Sequence, residues 1–287
     1  YTEKRRTEDA KKVFFMTHLP GEALLLAVVA SLALTNTYSI TDLLTKANPA
    51  WAMEFIKILL FIAMISKSVQ YPFYTWLPAA MSGPAPVSAL LHSATMVQAG
   101  VYLAARFLPL YLGGDLSWQV IFMLFGGTTL LIASINALRA VDLKHILAYS
   151  TISNIGYMFL AFGFGIFGLI AGLLHFLTHA FFKCCLFLGA GAVDHEAHTV
   201  DINRLGGLYK KMPITATCFT VSALALAGVP PLSGFASKWF MFGAGIVATS
   251  TAPSLGVFII VLMLGSVLSA GYAPVSYTHL RAHETGR

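Results

Sequence analysis

Residues 165–192 read GIFGLIAGLLHFLTHAFFKCCLFLGAGA, an apolar run whose basic residues are His175, His179 and Lys183. A helix rises about 1.5 Å per residue, so roughly 20 residues cross the ~30 Å hydrocarbon core of a bilayer. A lysine at the centre of that core costs about 2.5–3.5 kcal/mol on insertion scales. The run therefore predicts a transmembrane helix that retains its lysine in order to move charge.

The three basic residues follow each other at intervals of four, so they lie on one face of the predicted helix. Such a row extends about 12 Å along the helix axis. Histidine titrates near neutral pH, and a lysine in an apolar setting releases its proton more readily than one in water, so the row can pass protons directly or through water. Alternatively, the histidines only hydrogen-bond neighbouring helices. A zinc site is less favoured, because no cysteine or carboxylate falls on that face at ligand spacing.

The composition indicates an all-α polytopic membrane protein. The chain is 57% hydrophobic and 10% charged, with a mean hydropathy of +0.75, whereas soluble domains carry about 25% charged residues. The net charge is +6, but the basic residues form no patch, which excludes nucleic-acid binding. Cys184, Cys185 and Cys218 lie in apolar runs without metal-ligand spacing and are read as small apolar side chains.

Apolar runs predict about eight transmembrane helices, at 20–37, 52–72, 86–111, 118–138, 143–163, 165–192, 213–249 and 254–275. The second run continues past Pro72, and the seventh contains VPPLSG at 229–234. Proline removes a helical hydrogen bond and clashes with the preceding turn. Two of the eight helices are therefore expected to be broken.

The basic residues between the runs predict the orientation. If all eight runs span, one face receives Lys4, Arg5, Arg6, Lys11, Lys12, Arg139, Lys144, Arg204, Lys210 and Lys211. The other face receives little more than Lys46. The positive-inside rule makes the first face cytoplasmic, with residues 1–18 as a cytoplasmic loop.

The chain's two ends are expected to lie outside the membrane domain, which is predicted at 19–275. Residues 276–287 are polar and follow an apolar helix that is expected to end after Pro274. They are read as a non-native tail, so His279 and His283 are left out of the functional interpretation; the alternative is a native cytoplasmic tail. No initiating Met or signal peptide is visible, and the chain is expected to be a piece of a longer protein.

Lys67 and Lys238 each lie near one of the predicted breaks. Paired broken helices indicate an internal repeat and the ion sites of transporters, since a break frees backbone carbonyls for polar groups or water. For Lys238 the alternative is a side chain that extends to the membrane interface. His92 and Gln98 lie in the third run; Gln98 can hydrogen-bond without carrying charge, and His92 fits a relay or helix contact equally well.

Three stretches resemble a known family of membrane proteins: KSVQYPFYTWLPAAMSGPAPVSALLHSATMVQAGVYLAARF at 67–107, DLKHILAYSTISNIGYMFLA at 142–161, and HFLTHAFFKCCLFLGAGAVDHE at 175–196. The family is that of the proton-conducting subunits of respiratory complex I and Mrp-type sodium/proton antiporters, and the resemblance covers about 20–275. It implies two inverted five-helix repeats, of which this chain would hold the sixth to thirteenth helices. Residues 193–216 most resemble Mrp A subunits.

The resemblance also implies a role for each candidate residue. Lys67 corresponds to the broken-helix lysine of the first repeat, Lys144 to a central lysine between the repeats, and Lys238 to the exit lysine. The family's row of histidine and lysine residues that links the two lysine sites corresponds to His175, His179 and Lys183. Without the resemblance, Lys144 could equally be a surface lysine near the cytoplasmic end of its helix.

Two departures from the family pattern affect this relay. Many Mrp A subunits carry lysine where this chain has Gln98, so the relay there is expected to run through water or His92. The family's glutamate partner of the first lysine would lie upstream of residue 1. The chain is therefore not expected to transport by itself.

Three hypotheses of function remain: gradient-driven cation/proton antiport, a redox-driven quinone oxidoreductase or hydrogenase module, and an inert membrane scaffold. The sequence has no nucleotide, flavin or iron–sulfur motif, so no cofactor, metal or catalytic chemistry is expected in this chain, and redox chemistry would lie on partners. The expected partners are other subunits of a hetero-oligomeric complex in a bacterial plasma membrane, protons and Na⁺. The coupling ion and the direction of exchange stay open.

Overall fold

The computed structural model describes residues 3–281 apart from 47, 84, 94 and 113–115. In this part of the chain the regular secondary structure is helical, and one isolated antiparallel bridge joins Asp142 and Asp201. The helices are α1 Glu3–Thr35, α2 Ile40–Thr45, α3 Ala50–Lys67, α4 Trp76–Ala79, α5 Ala85–Ser93, α6 Met96–Leu112, α7 Leu116–Arg139, α8 Leu143–Phe162, α9 Ile166–Ala197, α10 Leu208–Lys211, α11 Pro213–Ala227, α12 Ser233–Thr251 and α13 Gly256–Arg281. The predicted all-α class is confirmed.

The first predicted break is present, and it begins before the proline. Helix α3 ends at Lys67, the backbone turns through 68–72, and a 3₁₀ turn at Phe73–Thr75 leads into α4. Val69 has a positive φ of 53° within this turn. The backbone N–H of Tyr71 donates to Thr129 Oγ1 of α7 at 2.9 Å, which anchors the break to a neighbouring helix.

The second predicted break separates α11 from α12. Gly228 ends α11 with a φ of 87°, a left-handed conformation that glycine adopts without steric cost. Helix α12 begins at Ser233, just after the two prolines. Gly234 packs directly against the backbone of Ala225, so the two half-helices approach each other closely.

A third break, which the sequence analysis did not predict, interrupts the segment expected at 86–111. Helix α5 ends at Ser93 and α6 begins at Met96, with Ala94 outside the described residues. Both the N–H and the hydroxyl of Thr95 donate to the Leu90 carbonyl, at 3.3 and 2.9 Å, so the chain forms a wider turn than an α-helix. The expectation of one continuous helix is wrong here, and the local sequence has no proline to signal it.

Both ends of the chain differ from expectation. Residues 3–18 are not a loop, because α1 runs without interruption from Glu3 to Thr35. The last helix does not end after Pro274 but continues to Arg281. The rest of the expected tail, 282–287, including His283, lies outside the described residues.

Five regions of the described chain are long and apolar enough to cross a bilayer, rather than the eight predicted. They are Thr7–Thr35, Ala85–Leu112, Leu116–Arg139, Ile166–Ala197 and Pro253–Pro274. The other three predicted segments are helical, but α3 carries three charged residues and α8 is rich in polar residues. The third, predicted at 213–249, is divided into α11 of 15 residues and α12 of 19 residues. Helix α8 keeps its polar groups because it is buried among other helices.

Helix α8 is the centre of the bundle. Every residue from Ile146 to Phe162 is buried except Tyr149. Gly126 of α7 and Gly156 of α8 allow close contact, since a Cβ on Gly156 would lie 2.7 Å from the Gly126 carbonyl oxygen. A helix enclosed in this way needs no apolar outer face.

The turn before α8 and the segment after α9 lie at the same end of the bundle, as predicted. The N–H of Leu143 donates to the Val200 carbonyl at 2.9 Å, and that of Ile202 donates to the Val141 carbonyl at 3.0 Å. Asp142 caps α8 by accepting from the N–H groups of Lys144 and His145, at 2.8 and 3.1 Å. Burial raises the pKa of Asp142, but the His145 ring and these two N–H groups outweigh it and leave that pKa below its usual value.

Candidate functional site

His175 connects three helices through its two ring nitrogens. It is fully buried on α9, with Nε2 3.0 Å from Asn154 Oδ1 of α8 and Nδ1 2.8 Å from Ser237 Oγ of α12. The amide oxygen only accepts, so Nε2 carries a proton. The donor of the second bond is either Nδ1 or the serine hydroxyl, because that hydroxyl also lies 3.1 Å from the Gly234 carbonyl oxygen. His175 is therefore held at both ring nitrogens next to the second break.

His179 lies one turn further along α9, on the same buried face. Its ring centroid is 6.4 Å from that of His175, and its Nδ1 accepts a hydrogen bond from Gln98 Nε2 of α6 at 2.8 Å. His179 Nε2 and Gln98 Oε1 are buried and have no hydrogen-bond partner among the described residues. The structure thus places Gln98 beside the row of His175, His179 and Lys183. Gln98 through Oε1 and His179 through Nε2 can each form one further hydrogen bond.

Lys183 completes the row, which confirms the predicted common face. Its side chain is fully buried, and the ammonium donates to the Leu147 carbonyl at 2.9 Å and to Ser150 Oγ, both on α8. The Phe187 ring centroid lies 6.0 Å from Nζ. In the described chain no carboxylate pairs with this ammonium, so only neutral groups stabilise its charge.

Lys238 is buried at the second break, with 5% of its surface exposed. Its ammonium donates to the carbonyls of Leu226 and Ala227 at 3.1 and 3.2 Å and to Ser269 Oγ of α13 at 2.7 Å. Those carbonyls end α11, where the helix dipole favours a cation. The interpretation that Lys238 extends to the interface is therefore wrong, because the break itself supplies its acceptors.

His92 lies beside the row without a hydrogen bond to it. The ring is fully buried near the end of α5 and stacks on Phe187, with centroids 4.4 Å apart. Neither ring nitrogen has a hydrogen-bond partner among the described residues. Phe187 thus lies next to both His92 and Lys183.

The remaining two predicted residues differ in their surroundings. Lys67 is half-buried at the end of α3 and makes no hydrogen bond or ion pair with any described residue. Lys144 forms an ion pair with Asp194 of α9 at 2.7 Å, with side chains 14% and 39% exposed. Lys144 is therefore a paired residue at the end of the bundle rather than an isolated surface lysine.

Sequence reasoning missed the partners that hold these groups. They are Asn154, Ser150, Ser237, Ser269 and Asp194. The spacing of four between Ser150 and Asn154, within an apolar segment, was the one available signal. It also missed an ion pair at the start of α3, where Glu54 accepts from Lys57 and from Trp118 Nε1, both at 2.8 Å.

The titratable side chains at the site are nitrogen bases, which can exchange protons. Within the residues that the structure describes, no cluster of three or more histidine, cysteine or acidic side chains could hold a metal ion. The row instead combines imidazoles and ammonium groups with hydroxyl, amide and carbonyl partners. Imidazole and ammonium groups release and bind protons, whereas those partners orient them.

Comparison with known proteins places this chain in a family. The family described as NADH:quinone oxidoreductase/Mrp antiporter, TM, matches residues 1–269. The A subunit of the Na⁺/H⁺ antiporter of Alkalihalophilus pseudofirmus is 36% identical over 300 residues, which cover 96% of this chain and 37% of that protein. NADH-quinone oxidoreductase subunit L of Campylobacter jejuni is 41% identical over 269 residues, covering 92% of this chain and 44% of that protein.

A solved structure shows the same fold. A chain in the structure of the Mrp complex from Dietzia sp. DQ12-45-1b matches with a TM-score of 0.85 and 34% identity, over 93% of this chain and 30% of that chain. The chain thus spans less than half the length of each of these relatives. The match confirms the predicted resemblance: this helical, multi-pass chain belongs to the NADH:quinone oxidoreductase/Mrp antiporter transmembrane family.

Proposed function

We propose that this chain is the proton-translocating part of the Mrp-type A subunit of a multisubunit cation/proton antiporter in a bacterial plasma membrane. It moves protons through a Lys/His relay at the middle of the membrane, and other subunits and Na⁺ complete the exchange. Its similarity to the A subunit of the A. pseudofirmus Na⁺/H⁺ antiporter supports this assignment.

The observation that carries the proposal is the burial of Lys183 and Lys238 without a carboxylate partner in the described chain. Lys183 is fully buried and Lys238 is 5% exposed, and both ammonium groups contact only neutral oxygens. A buried charge that is balanced only by dipoles costs several kcal/mol. Each lysine can therefore lose its proton and become a neutral amine. A group that exchanges its proton easily is what a relay requires.

The positions of the residues support one order for the proposed relay. Ser237, the neighbour of Lys238 in sequence, hydrogen-bonds His175, and His179 follows on the same face of α9 before Lys183. The two imidazole centroids are 6.4 Å apart, so a proton passes between them through water or ring movement. Gln98 orients His179 but cannot hold a proton in transit.

The test uses the full-length protein within its complex. In inverted vesicles, Lys238→Ala is expected to abolish proton movement on addition of cation, while a native gel shows normal assembly. Lys210→Ala is the matched control, because Lys210 is exposed on α10. Wild-type exchange by Lys238→Ala would refute the proposal, and equal loss in the control would show that the effect is not specific to the relay.

A redox-driven module is the second candidate, because subunit L of C. jejuni is 41% identical to this chain. The same relay would then be driven by electron transfer on partner subunits. Vesicles that contain the native complex separate the two functions. Proton movement on NADH addition, without a response to a cation gradient, would favour the redox module; the opposite result is expected.

A further inference from the structure

The ring of Tyr157 contacts two groups of the proposed relay at once. Tyr157 is on α8 and is 1% exposed. The Lys238 ammonium lies over the ring at 5.3 Å from its centroid, and the His175 ring centroid is 5.9 Å from the same point. Lys238 and His175 form no hydrogen bond with each other in the described chain. The Tyr157 ring is therefore a side chain that touches both of them.

The hydroxyl of Tyr157 fixes the ring in this place. It forms a 3.1 Å hydrogen bond with Ser266 Oγ of α13. Gly265 leaves room for that hydroxyl, because a Cβ there would lie 2.8 Å from it. Ser269, about one turn further along α13, accepts from the Lys238 ammonium at 2.7 Å. Helix α13 thus holds both the ring and the ammonium, and the ring cannot turn away without losing a hydrogen bond.

The ring stabilises a positive charge in a way that the oxygen acceptors do not. The face of an aromatic ring has a negative electrostatic potential, so it attracts a cation within about 6 Å of its centroid. The attraction grows where water is excluded. Lys238 is 5% exposed and Tyr157 is 1% exposed, so water does not screen this pair. A neutral amine gains much less from the ring, and the contact therefore favours the protonated form of Lys238.

Lys183 has a weaker form of the same arrangement. Its Nζ is 6.0 Å from the Phe187 ring centroid, and Phe187 stacks on His92. Phe187 follows Lys183 by four residues on α9, a spacing at which side chains meet on any helix. Tyr157 reaches Lys238 from a different helix, so helix packing rather than local spacing places its ring over the ammonium.

We propose that Tyr157 is a positioning residue whose ring face stabilises the protonated Lys238 and so sets the pH range in which the relay loads. The inference rests on the proposed proton relay, and Tyr157 acts through Lys238 rather than by carrying a proton itself. Without the ring face, Lys238 would load its proton only at a lower pH. The alkaline midpoint, meaning the pH at which exchange falls to half of its maximum on the alkaline side, would then move to lower pH.

No ion pair competes with the ring at Lys238. From α11 two backbone carbonyls accept from the ammonium, and from α9 the titratable group that interacts with it is His175. Tyr272 of α13 faces the Tyr157 side chain. Within the residues that the structure describes, no carboxylate pairs with Lys238. A change in the ring is therefore expected to act on a charge that nothing else neutralises.

The experiment varies the ring face at position 157 in the full-length protein within its complex. Phenylalanine, and phenylalanines with increasing numbers of ring fluorines, are incorporated there, because fluorine withdraws electron density from the ring face with little change in shape. We expect Tyr157→Phe to stay close to the wild-type pH profile. The alkaline midpoint should fall stepwise with fluorination, by about one pH unit over the series, and Tyr157→Leu should lower it by at least as much.

Tyr111→Leu is the matched control. Tyr111 is also 1% exposed, and its hydroxyl donates to the Lys57 carbonyl at 2.8 Å. Its ring contacts Trp118 and Phe122, which are not part of the relay. This variant loses the same buried ring as Tyr157→Leu, so it should lower stability to a similar extent and leave the pH profile unchanged.

Several outcomes would overturn the inference. One is an unchanged alkaline midpoint along the fluorinated series, and another is an equal loss of rate at every pH. A third is an equal shift in Tyr111→Leu, which would assign the effect to core packing. If Tyr157→Leu does not assemble, the fluorinated series still decides, because it keeps the shape of the ring. If Lys238→Ala abolishes exchange but fluorination shifts nothing, only this inference fails; if Lys238→Ala has no effect, the relay itself fails.

Discussion

The two helix breaks that the prolines predicted each have a lysine nearby, but they hold it differently. Lys238 is 5% exposed and has three oxygen acceptors, two from the end of α11 and one from Ser269 of α13. Lys67 is half-buried and has no partner among the described residues. A break near a lysine is therefore not sufficient to build a site. The carbonyls that the break frees must also point toward the ammonium, and a neighbouring helix must supply the third acceptor.

The largest expected effect comes from Lys238→Arg compared with Lys67→Arg. Guanidinium does not release its proton and does not fit three acceptors placed for an ammonium. We expect Lys238→Arg to lower the exchange rate about 100-fold or more, and Lys67→Arg to lower it less. Proton uptake by vesicles that contain the full-length complex measures both. Equal losses would show that burial does not distinguish the two lysines.

Glycine positions provide the next comparison. A Cβ on Gly234 would collide with the Ala225 carbonyl at the second break, whereas one on Gly83, after the first break, would lie 3.5 Å from the Ala80 carbonyl oxygen. We expect Gly234→Ala to destabilise the protein by about 1–3 kcal/mol, and Gly83→Ala to have little effect. Thermal unfolding of the purified complex tests this. Similar melting temperatures for both variants would indicate that the second break is more adaptable than its geometry suggests.

Removing one hydroxyl group at each of the two breaks tests whether that hydroxyl supports transport or anchors the backbone. Ser269→Ala removes one acceptor from the buried Lys238 ammonium, and we expect about a tenfold loss of exchange because a hydrogen bond to a charged group is worth roughly 1.5–3 kcal/mol. Thr129→Val removes the acceptor of the Tyr71 N–H, which should cost about 1 kcal/mol of stability. Exchange should largely survive in Thr129→Val. A reversed result would place the functional break at Lys67.

The smallest effect is expected at the start of α3. Glu54 is half-exposed and accepts hydrogen bonds from Lys57 and Trp118. Because a partly exposed pair is screened by solvent, Glu54→Gln should lower stability by about 0.5 kcal/mol and leave exchange unchanged. Thermal unfolding and vesicle transport check the two expectations. A loss of exchange would reveal a role for this end of α3 in the first half of the pathway.

Much of the site could be predicted because it follows from local spacing. The four-residue intervals place His175, His179 and Lys183 on one face, and the structure buries all three. Proline at 230–231 predicted the second break next to Lys238. The break between α5 and α6 could not be predicted, since it depends on Thr95 bonding to the Leu90 carbonyl rather than on a proline.

The sequence by itself determined the helical class, the membrane setting, two of the breaks and the order of titratable groups along α9. These features depend on composition and on periodicity within a single segment. Only the tertiary structure decided which groups those side chains meet. Asn154, Ser237, Ser269 and Asp194 lie between 21 and 62 positions away from their partners, on other helices. Their contacts arise from helix packing, which no local pattern encodes, and that packing is why two lysines with similar local sequence signals lie in different surroundings.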